Sequence, residues 1–296
     1  MGNAAGIFVT AARRRNSQPN PSYIAALTGG DALLTRNGIT TPRRMAHFLA
    51  QILHETGGGT VLFEDMFYRT ADRMLQIFGV GNHSAAVRRD EVAGLLCNPP
   101  GLAERVYGLG NPSKARELGN TQPGDGYRYR GGGLLQTTGR EAYRRRGILA
   151  GVDFEGNPEL IVSADHALKP AIFEWAEGSL NAAADRNDLI TITRVINGGL
   201  NGLDERQAWL ALTAMLAGDG TGAPAWEAGT PDETTSWLQT ALNRLGATPP
   251  LAVDGSYGPV TEAAVRQFQT SAGLVVDGVA GAQTRSAITA RLAALA

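Results

Sequence analysis

One glutamate in this sequence stands where a carboxyl group can serve as a proton donor. The segment Thr41-Pro-Arg-Arg-Met-Ala-His-Phe-Leu-Ala-Gln-Ile-Leu-His-Glu-Thr-Gly-Gly-Gly reads as a single helix, started by Thr41 and Pro42 and stopped at Gly57. Met45, Phe48, Leu49, Ile52 and Leu53 recur at helical spacing, so one face is expected to be buried. Glu55 falls three residues beyond Ile52 and seven beyond Phe48, on the edge of that stripe and at the negative end of the helix dipole. Desolvation and the dipole both disfavour the carboxylate, so the Glu55 pKa is expected to be raised. A raised-pKa glutamic acid is what general acid catalysis near neutral pH requires. Zinc-peptidase chemistry does not fit, because His54-Glu55 would need a second histidine at position 58, which is Gly58. The glycines at 131–133 lack the spacing of a phosphate-binding loop.

The elements that must hold this group belong to a chain of 296 residues, 43% hydrophobic and 19% charged. That length suits one large domain or two unequal ones. No stretch approaches the ~20 apolar residues of a membrane span, so no membrane insertion is expected. A net charge of −1 argues against nucleic acid as a partner. The single cysteine, Cys97, is read as a buried or half-buried thiol, and with four histidines leaves little for metal chemistry, so neither a metal nor a cofactor is expected. In MGNAAGIFVTAARRR the basic residues follow the short apolar stretch, the reverse of a secretory signal. The clustered glycines suggest tight turns lining a cleft.

Composition breaks at AGDGTGAPAWEAGTPD, residues 217–232, which reads as a linker. The expected division is a catalytic domain over 1–220, a linker over 221–232 and a small domain over 233–296, with few contacts across the boundary. Beyond the linker Val253-Asp-Gly-Ser-Tyr-Gly-Pro-Val-Thr-Glu-Ala-Ala recurs as Val276-Asp-Gly-Val-Ala-Gly-Ala-Gln-Thr-Arg-Ser-Ala, offset by 23 residues. Each copy is a glycine turn and a threonine, Thr261 or Thr284, able to cap the helix that follows. Ala264, Val265 and Phe268, and then Ala287, Ile288 and Leu292, form the buried stripes. With the helix beginning at Trp237 this makes three short helices. The pattern resembles the three-helix peptidoglycan-binding domain appended to many cell-wall hydrolases. The resemblance implies wall-contacting positions in the duplicated turns: Asp254, Gly255, Tyr257, Asp277 and Gly278.

His54-Glu-Thr-Gly-Gly, then Glu64-Asp-Met-Phe-Tyr, then Tyr127-Arg-Tyr-Arg-Gly-Gly-Gly-Leu-Leu-Gln-Thr-Thr-Gly-Arg, then Ile196-Asn-Gly-Gly-Leu-Asn-Gly resemble family 19 glycoside hydrolases in order and spacing. The likeness is to the phage and bacterial branch, chitinase-like lysozymes used as endolysins, and runs from about Gly38 to Leu216. It implies a mainly α fold: a lysozyme-like, two-lobed helical catalytic domain with a central cleft, room for a small β element, and the three-helix C-terminal domain. It also implies that Glu55 protonates the glycosidic oxygen while Glu64 activates water, with Asp65 and Glu91 as rival bases. An inverting glycosidase holds such a pair ~6.5–9.5 Å apart, and the turn at Gly57–Gly59 can bring the second carboxylate across the cleft. Gln136, Thr138, Asn197 and Arg206 match substrate-contacting positions of the family, with Arg206 able to orient a catalytic carboxylate. Tyr68 and Tyr107 are read as sugar-stacking or core residues. Two departures stand out: Gly132 replaces a common arginine and Ala142 a common asparagine.

The activity implied is hydrolysis of the β-1,4 bond between N-acetylmuramic acid and N-acetylglucosamine in peptidoglycan by an inverting mechanism. The alternatives are a chitinase using the same acid and base, and a non-catalytic wall-binding protein. The expected partner is bacterial peptidoglycan and the expected state a monomer. Such a protein would be made in the cytoplasm and reach the wall through a holin or another route that uses no signal peptide.

Overall fold

The structure, a computed structural model, describes residues 3–82, 84–219, 235–255, 257–276, 278, 280 and 282–294. The proposed linker and Asp277 therefore lie outside the described residues. Among those described there are seventeen α-helices, one short 3₁₀ helix and no strand beyond isolated β-bridges, so the protein is mainly α. The chain folds as two units: residues 1–11, 38–54 and 175–296 form the first, and residues 12–37 and 55–174 the second.

The first unit is organised on the Pro42–Glu55 helix. Thr41 Oγ1 accepts the Arg44 N–H at 3.2 Å, the start expected for it. The burial differs from the expectation of one buried face: every residue from Met45 to Leu53 is buried. The polar side of the helix is enclosed with one partnered atom on each of His47 and Gln51, while His47 Nδ1 and Gln51 Nε2 are buried without a hydrogen bond. His47 Nε2 is bonded to Asn187 Oδ1 at 2.8 Å, and Gln51 Oε1 accepts from Arg206 Nη1. On the apolar side Phe48 packs edge-on against Trp175, with ring centroids 5.4 Å apart. Thr213 Oγ1 donates to the Ala46 carbonyl from the Leu203–Ala217 helix.

Also in this unit are the three C-terminal helices, Thr235–Arg244, Pro259–Ala272 and Ala282–Ala293. Their repeat has a hydrogen-bonded basis. Gln239 Oε1 accepts the Gly255 N–H at 2.9 Å while its Nε2 donates to Asp254 Oδ1 at 2.7 Å and Thr261 Oγ1 at 3.3 Å. In the second copy Gln269 Oε1 accepts the Gly278 N–H at 2.9 Å and its Nε2 donates to Thr284 Oγ1 at 3.1 Å. The threonines are thus not the expected N-caps. They sit inside the first turn of each helix, buried, where a glutamine from the preceding helix uses their hydroxyl. Ala264, Val265, Phe268 and Ile288 are buried as their spacing required. Leu200, which precedes the linker, is buried in the same cluster, and Ile190 packs against it.

The second unit contains two hydrophobic clusters. One joins Met66, Met74, Phe78, Val87, Leu102 and Val106; the other joins Tyr129, Tyr143, Phe154, Ile161 and Val162. Cys97 departs from its reading as a buried or half-buried thiol. It is exposed, in a turn with φ of 52°, where its N–H donates to the Tyr68 carbonyl at 2.9 Å.

Candidate active site

Glu55 is the last residue of its helix and is half-buried. The chain leaves it through Gly57, Gly58 and Gly59, with φ of 54°, 74° and 86°, three successive left-handed residues that only glycine adopts without strain. Buried Thr56 holds this turn, its Oγ1 accepting the Gly59 N–H at 3.0 Å and its carbonyl accepting from Thr60 and Val61 at 2.9 Å. Tyr23 anchors the exit by donating its hydroxyl to the Val61 carbonyl at 3.0 Å.

Past the turn the chain enters a small ladder. The Gly133 N–H donates to Leu62 O at 3.0 Å and the Glu64 N–H to Gly131 O at 2.7 Å, while Gly132 and Thr137 exchange both backbone bonds. This is the small β element, reduced to the bridges Phe63–Gly132 and Gly132–Thr137. Three candidate residues converge on Gly131. A Cβ there would lie 3.1 Å from Gln136 Oε1, 3.3 Å from Thr138 Oγ1 and 3.5 Å from Glu64 Cβ. Gln136 takes a left-handed φ of 50°, its Nε2 donating to Gly133 O and Thr138 Oγ1 donating to Gln136 O, both at 2.9 Å. The glycine at 132 is a steric requirement: a Cβ would come within 2.7 Å of the Tyr143 hydroxyl and 2.8 Å of the Phe63 ring.

Burial pushes the half-buried Glu64 carboxyl above the usual range, against the opposing pull of the Tyr107 hydroxyl, the Gly131 backbone and the Arg130 charge. Tyr107 Oη donates to Glu64 Oε1 at 3.0 Å. Arg130 lies over the Phe63 ring at 4.5 Å and the Tyr127 ring at 4.2 Å, with Nη1 donating to Tyr127 O. The rival bases are otherwise engaged. Glu91 is bonded through both oxygens to Arg105, which holds its carboxyl below the usual range, and Asp65 is exposed and accepts the Phe67 N–H.

Tyr68 is half-buried, with one edge of its ring against Phe78, centroids 5.5 Å apart. In the first unit Asn197 ends its helix with its side chain exposed, and Gly198 takes the left-handed cap position. Arg206 is fully buried, donating to Gln51 and, at 3.3 Å, to the Asn201 carbonyl. Of the positions expected to contact the wall, Asp254 and Gly255 are exposed and tied to Gln239, whereas Gly278 is buried. Tyr257 corrects the expectation: it is buried, and its hydroxyl donates to Gly278 O at 2.9 Å and accepts the Ala280 N–H. Its ring belongs to the core of the C-terminal helices. The sequence reading passed over Arg130, although it lies within the Tyr127–Arg140 motif, and left Tyr107 undecided between sugar and core. Nothing local links Tyr107 to a carboxylate 43 residues away. Among the described residues no group of three or more His, Cys, Asp or Glu side chains is placed to hold a metal ion.

Over 178 residues the chain is 33% identical to a glycosyl hydrolase family 19 domain-containing protein of Haemophilus influenzae, an alignment covering 59% of this chain and 80% of that one. The chain belongs to glycosyl hydrolase family 19. This family 19 hydrolase also matches, over residues 231–288, the family described as "Putative peptidoglycan binding domain". It is 30% identical over 111 residues to the zinc D-Ala-D-Ala carboxypeptidase of Streptomyces albus G, spanning 32% of this chain and 41% of that protein. Among solved structures, chitinase C of Streptomyces griseus superposes with a TM-score of 0.46 at 19% identity, covering 75% of this chain and 97% of that one.

Proposed function

We propose that this family 19 hydrolase cleaves the β-1,4 bond between N-acetylmuramic acid and N-acetylglucosamine in bacterial peptidoglycan. The observation that carries the substrate is the peptidoglycan-binding match at residues 231–288 on the same chain as the family 19 region. In this reading the Glu55 carboxyl gives its proton to the glycosidic oxygen as the bond to the anomeric carbon breaks. Water attacks that carbon from the opposite face and loses a proton to Glu64, so the product has inverted, α-anomeric configuration. The burial of Glu64 supports the role, because a carboxylate with a raised pKa is the stronger proton acceptor. The gathering of Gln136 and Thr138 with Glu64 around Gly131 supports a role for them in bonding the attacking water or an N-acetyl group. Asp254 and Gly255 remain candidate wall contacts, and the site of action is the wall, reached as an endolysin reaches it.

The raised pKa of Glu64 also fits a second reading in which the two carboxyls exchange roles. Glu55→Gln and Glu64→Gln, assayed by release of reducing ends from purified peptidoglycan, separate these readings. Both variants are expected to lose about 10²–10⁴-fold in rate. A glycoside with an activated leaving group needs no protonation, so it rescues only the acid variant. Rescue of Glu55→Gln supports the first assignment, rescue of Glu64→Gln the exchange, and near-normal turnover by either variant removes that residue from the mechanism. Hydrolysis of chitin in preference to peptidoglycan would overturn the substrate.

A further inference from the structure

A glutamate carboxyl turns easily about its last bond, because that torsion is broad and roughly two-fold. A base that must meet one water in one direction therefore needs other groups to fix it. Glu64 has one hydrogen-bond donor, Tyr107, and one nearby cation, Arg130, and each is held by contacts of its own.

Tyr107 closes the Pro99–Tyr107 helix and is half-buried. Its carbonyl is held by Asn120 Nδ2 at 2.9 Å, and its hydroxyl donates to Glu64 Oε1 at 3.0 Å. Burial and the neighbouring Glu64 charge push the phenol pKa up, so the hydroxyl stays a donor throughout the working pH range. Arg130 approaches from the ladder side. Its guanidinium lies over the Phe63 ring at 4.5 Å and the Tyr127 ring at 4.2 Å, and its Nη1 is bonded to the Tyr127 carbonyl at 2.9 Å. A cation stacked in this way holds a planar, fixed orientation at little entropic cost. The backbone of Gly131, the residue after Arg130, also bonds the carboxyl, and the Tyr68 phenol lies close enough for the Glu64 charge to raise its pKa.

We propose that Tyr107 and Arg130 are positioning residues for Glu64: Tyr107 fixes the rotation of the carboxylate through Oε1, and Arg130, stacked on the Phe63 and Tyr127 rings, supplies a nearby positive charge. The inference rests on the reading of Glu64 as the base. Neither residue touches substrate in this scheme, which distinguishes it from a sugar-stacking role for Tyr107.

The test is the pH dependence of kcat/KM on purified peptidoglycan for Tyr107→Phe, Arg130→Met and Arg130→Lys. Each of the first two substitutions removes a group that favours the ionised carboxyl. The acidic limb should therefore move upward, by about one pH unit for a hydrogen bond to a charged group. Loss of orientation should lower kcat at least several-fold with little change in KM, and Arg130→Lys should restore part of the shift. A titration of Glu64 by carbon-13 NMR in Tyr107→Phe follows the same shift without using activity, and the melting temperature checks that the variant is folded. An acidic limb and a Glu64 titration that both stay in place overturn the proposal, as does a rise in KM with kcat unchanged, the mark of a sugar contact. Glu64→Gln separates the two levels: if that variant remains active, the assignment of the base fails, whereas an inactive Glu64→Gln beside an unshifted Tyr107→Phe defeats the positioning role alone.

Discussion

Leu200 lies twenty residues before Gly220 yet completes the core of the three C-terminal helices, and removing it should reveal how far those helices depend on the chain before the linker. The side chain is 2% exposed and shares its cluster with Leu238, Leu242, Leu251, Tyr257, Val265, Phe268 and Ile288. Truncating a buried leucine to alanine costs about 2–5 kcal/mol through lost transfer energy and the cavity left behind. Two polar contacts accompany it. Arg194 reaches Glu262 at 3.4 Å, and Asp204 accepts from the Thr235 N–H at 3.2 Å and from its hydroxyl. The ion pair adds little, because both side chains are partly solvated and Glu262 is also paired with Arg266 at 2.8 Å. The apolar contact should dominate. For a segment of about sixty residues, with a midpoint shift of roughly 4–8 °C per kcal/mol, Leu200→Ala should lower the melting temperature of the C-terminal helices by about 8–40 °C. Arg194→Ala should shift it by only a few degrees. Calorimetry of the full chain, with Trp237 fluorescence reporting on the helix that carries it, reads both. If Leu200→Ala melts with the parent protein, the C-terminal helices are independent of residues 190–204 and the reasoning is refuted. If it behaves as expected, the boundary at residues 221–232 is crossed by more than the few contacts expected there, and a truncation after residue 219 exposes Leu200 and Ile190 together.

Three further outcomes follow from the same structure. Burial lowers the His47 pKa to about 4, since Nδ1 is enclosed without a hydrogen-bond partner while Nε2 serves Asn187. The folded state therefore resists a proton that the unfolded chain takes up near pH 6.5, so about 3 kcal/mol of stability, complete above that pH, should be lost as pH falls from 6.5 toward 4. Urea unfolding at pH 7 and pH 4.5 should show a shallower pH dependence in His47→Gln, and parallel slopes would defeat this account. Gly132→Ala should destabilise by about 1–3 kcal/mol through overpacking against Phe63 and Tyr143, read as a lower urea midpoint, with an unchanged midpoint counting against the steric reason for glycine. Gln269→Ala leaves the buried Gly278 N–H without its acceptor and should cost about 1–3 kcal/mol in thermal unfolding, an effect that Gln269→Glu should partly restore by keeping an acceptor oxygen.

What could be read from the residue order alone was mostly of short period or short span, although Thr261 and Thr284, read as helix caps, serve as buried partners of Gln239 and Gln269. Thr41, Pro42 and Gly57 marked the ends of the helix carrying Glu55, the glycine run marked the turn after it, and the 23-residue repeat together with the segment at Trp237 marked three helices. Each depends on backbone preferences within a few residues, and those survive in any tertiary setting. The motifs around Glu55, Glu64 and Gly131 also carried the family, because their spacing preserves which groups the turns present. The surroundings of those groups were beyond such a reading. Glu64 is desolvated and held by Tyr107, which only the folded chain brings to it, and glycine is favoured at 132 because Phe63 and Tyr143 both crowd the place its Cβ would take. The Pro42–Glu55 helix is enclosed on its polar side only because Asn187 and Arg206 come to meet His47 and Gln51. Tyr257 and Leu200 turn inward for the same reason, while Cys97 stays outside on a left-handed turn. Periodicity reports which face of an element is apolar; desolvation and hydrogen bonding at a site depend on groups tens of residues distant in the chain, and tertiary packing alone decides which of them arrive.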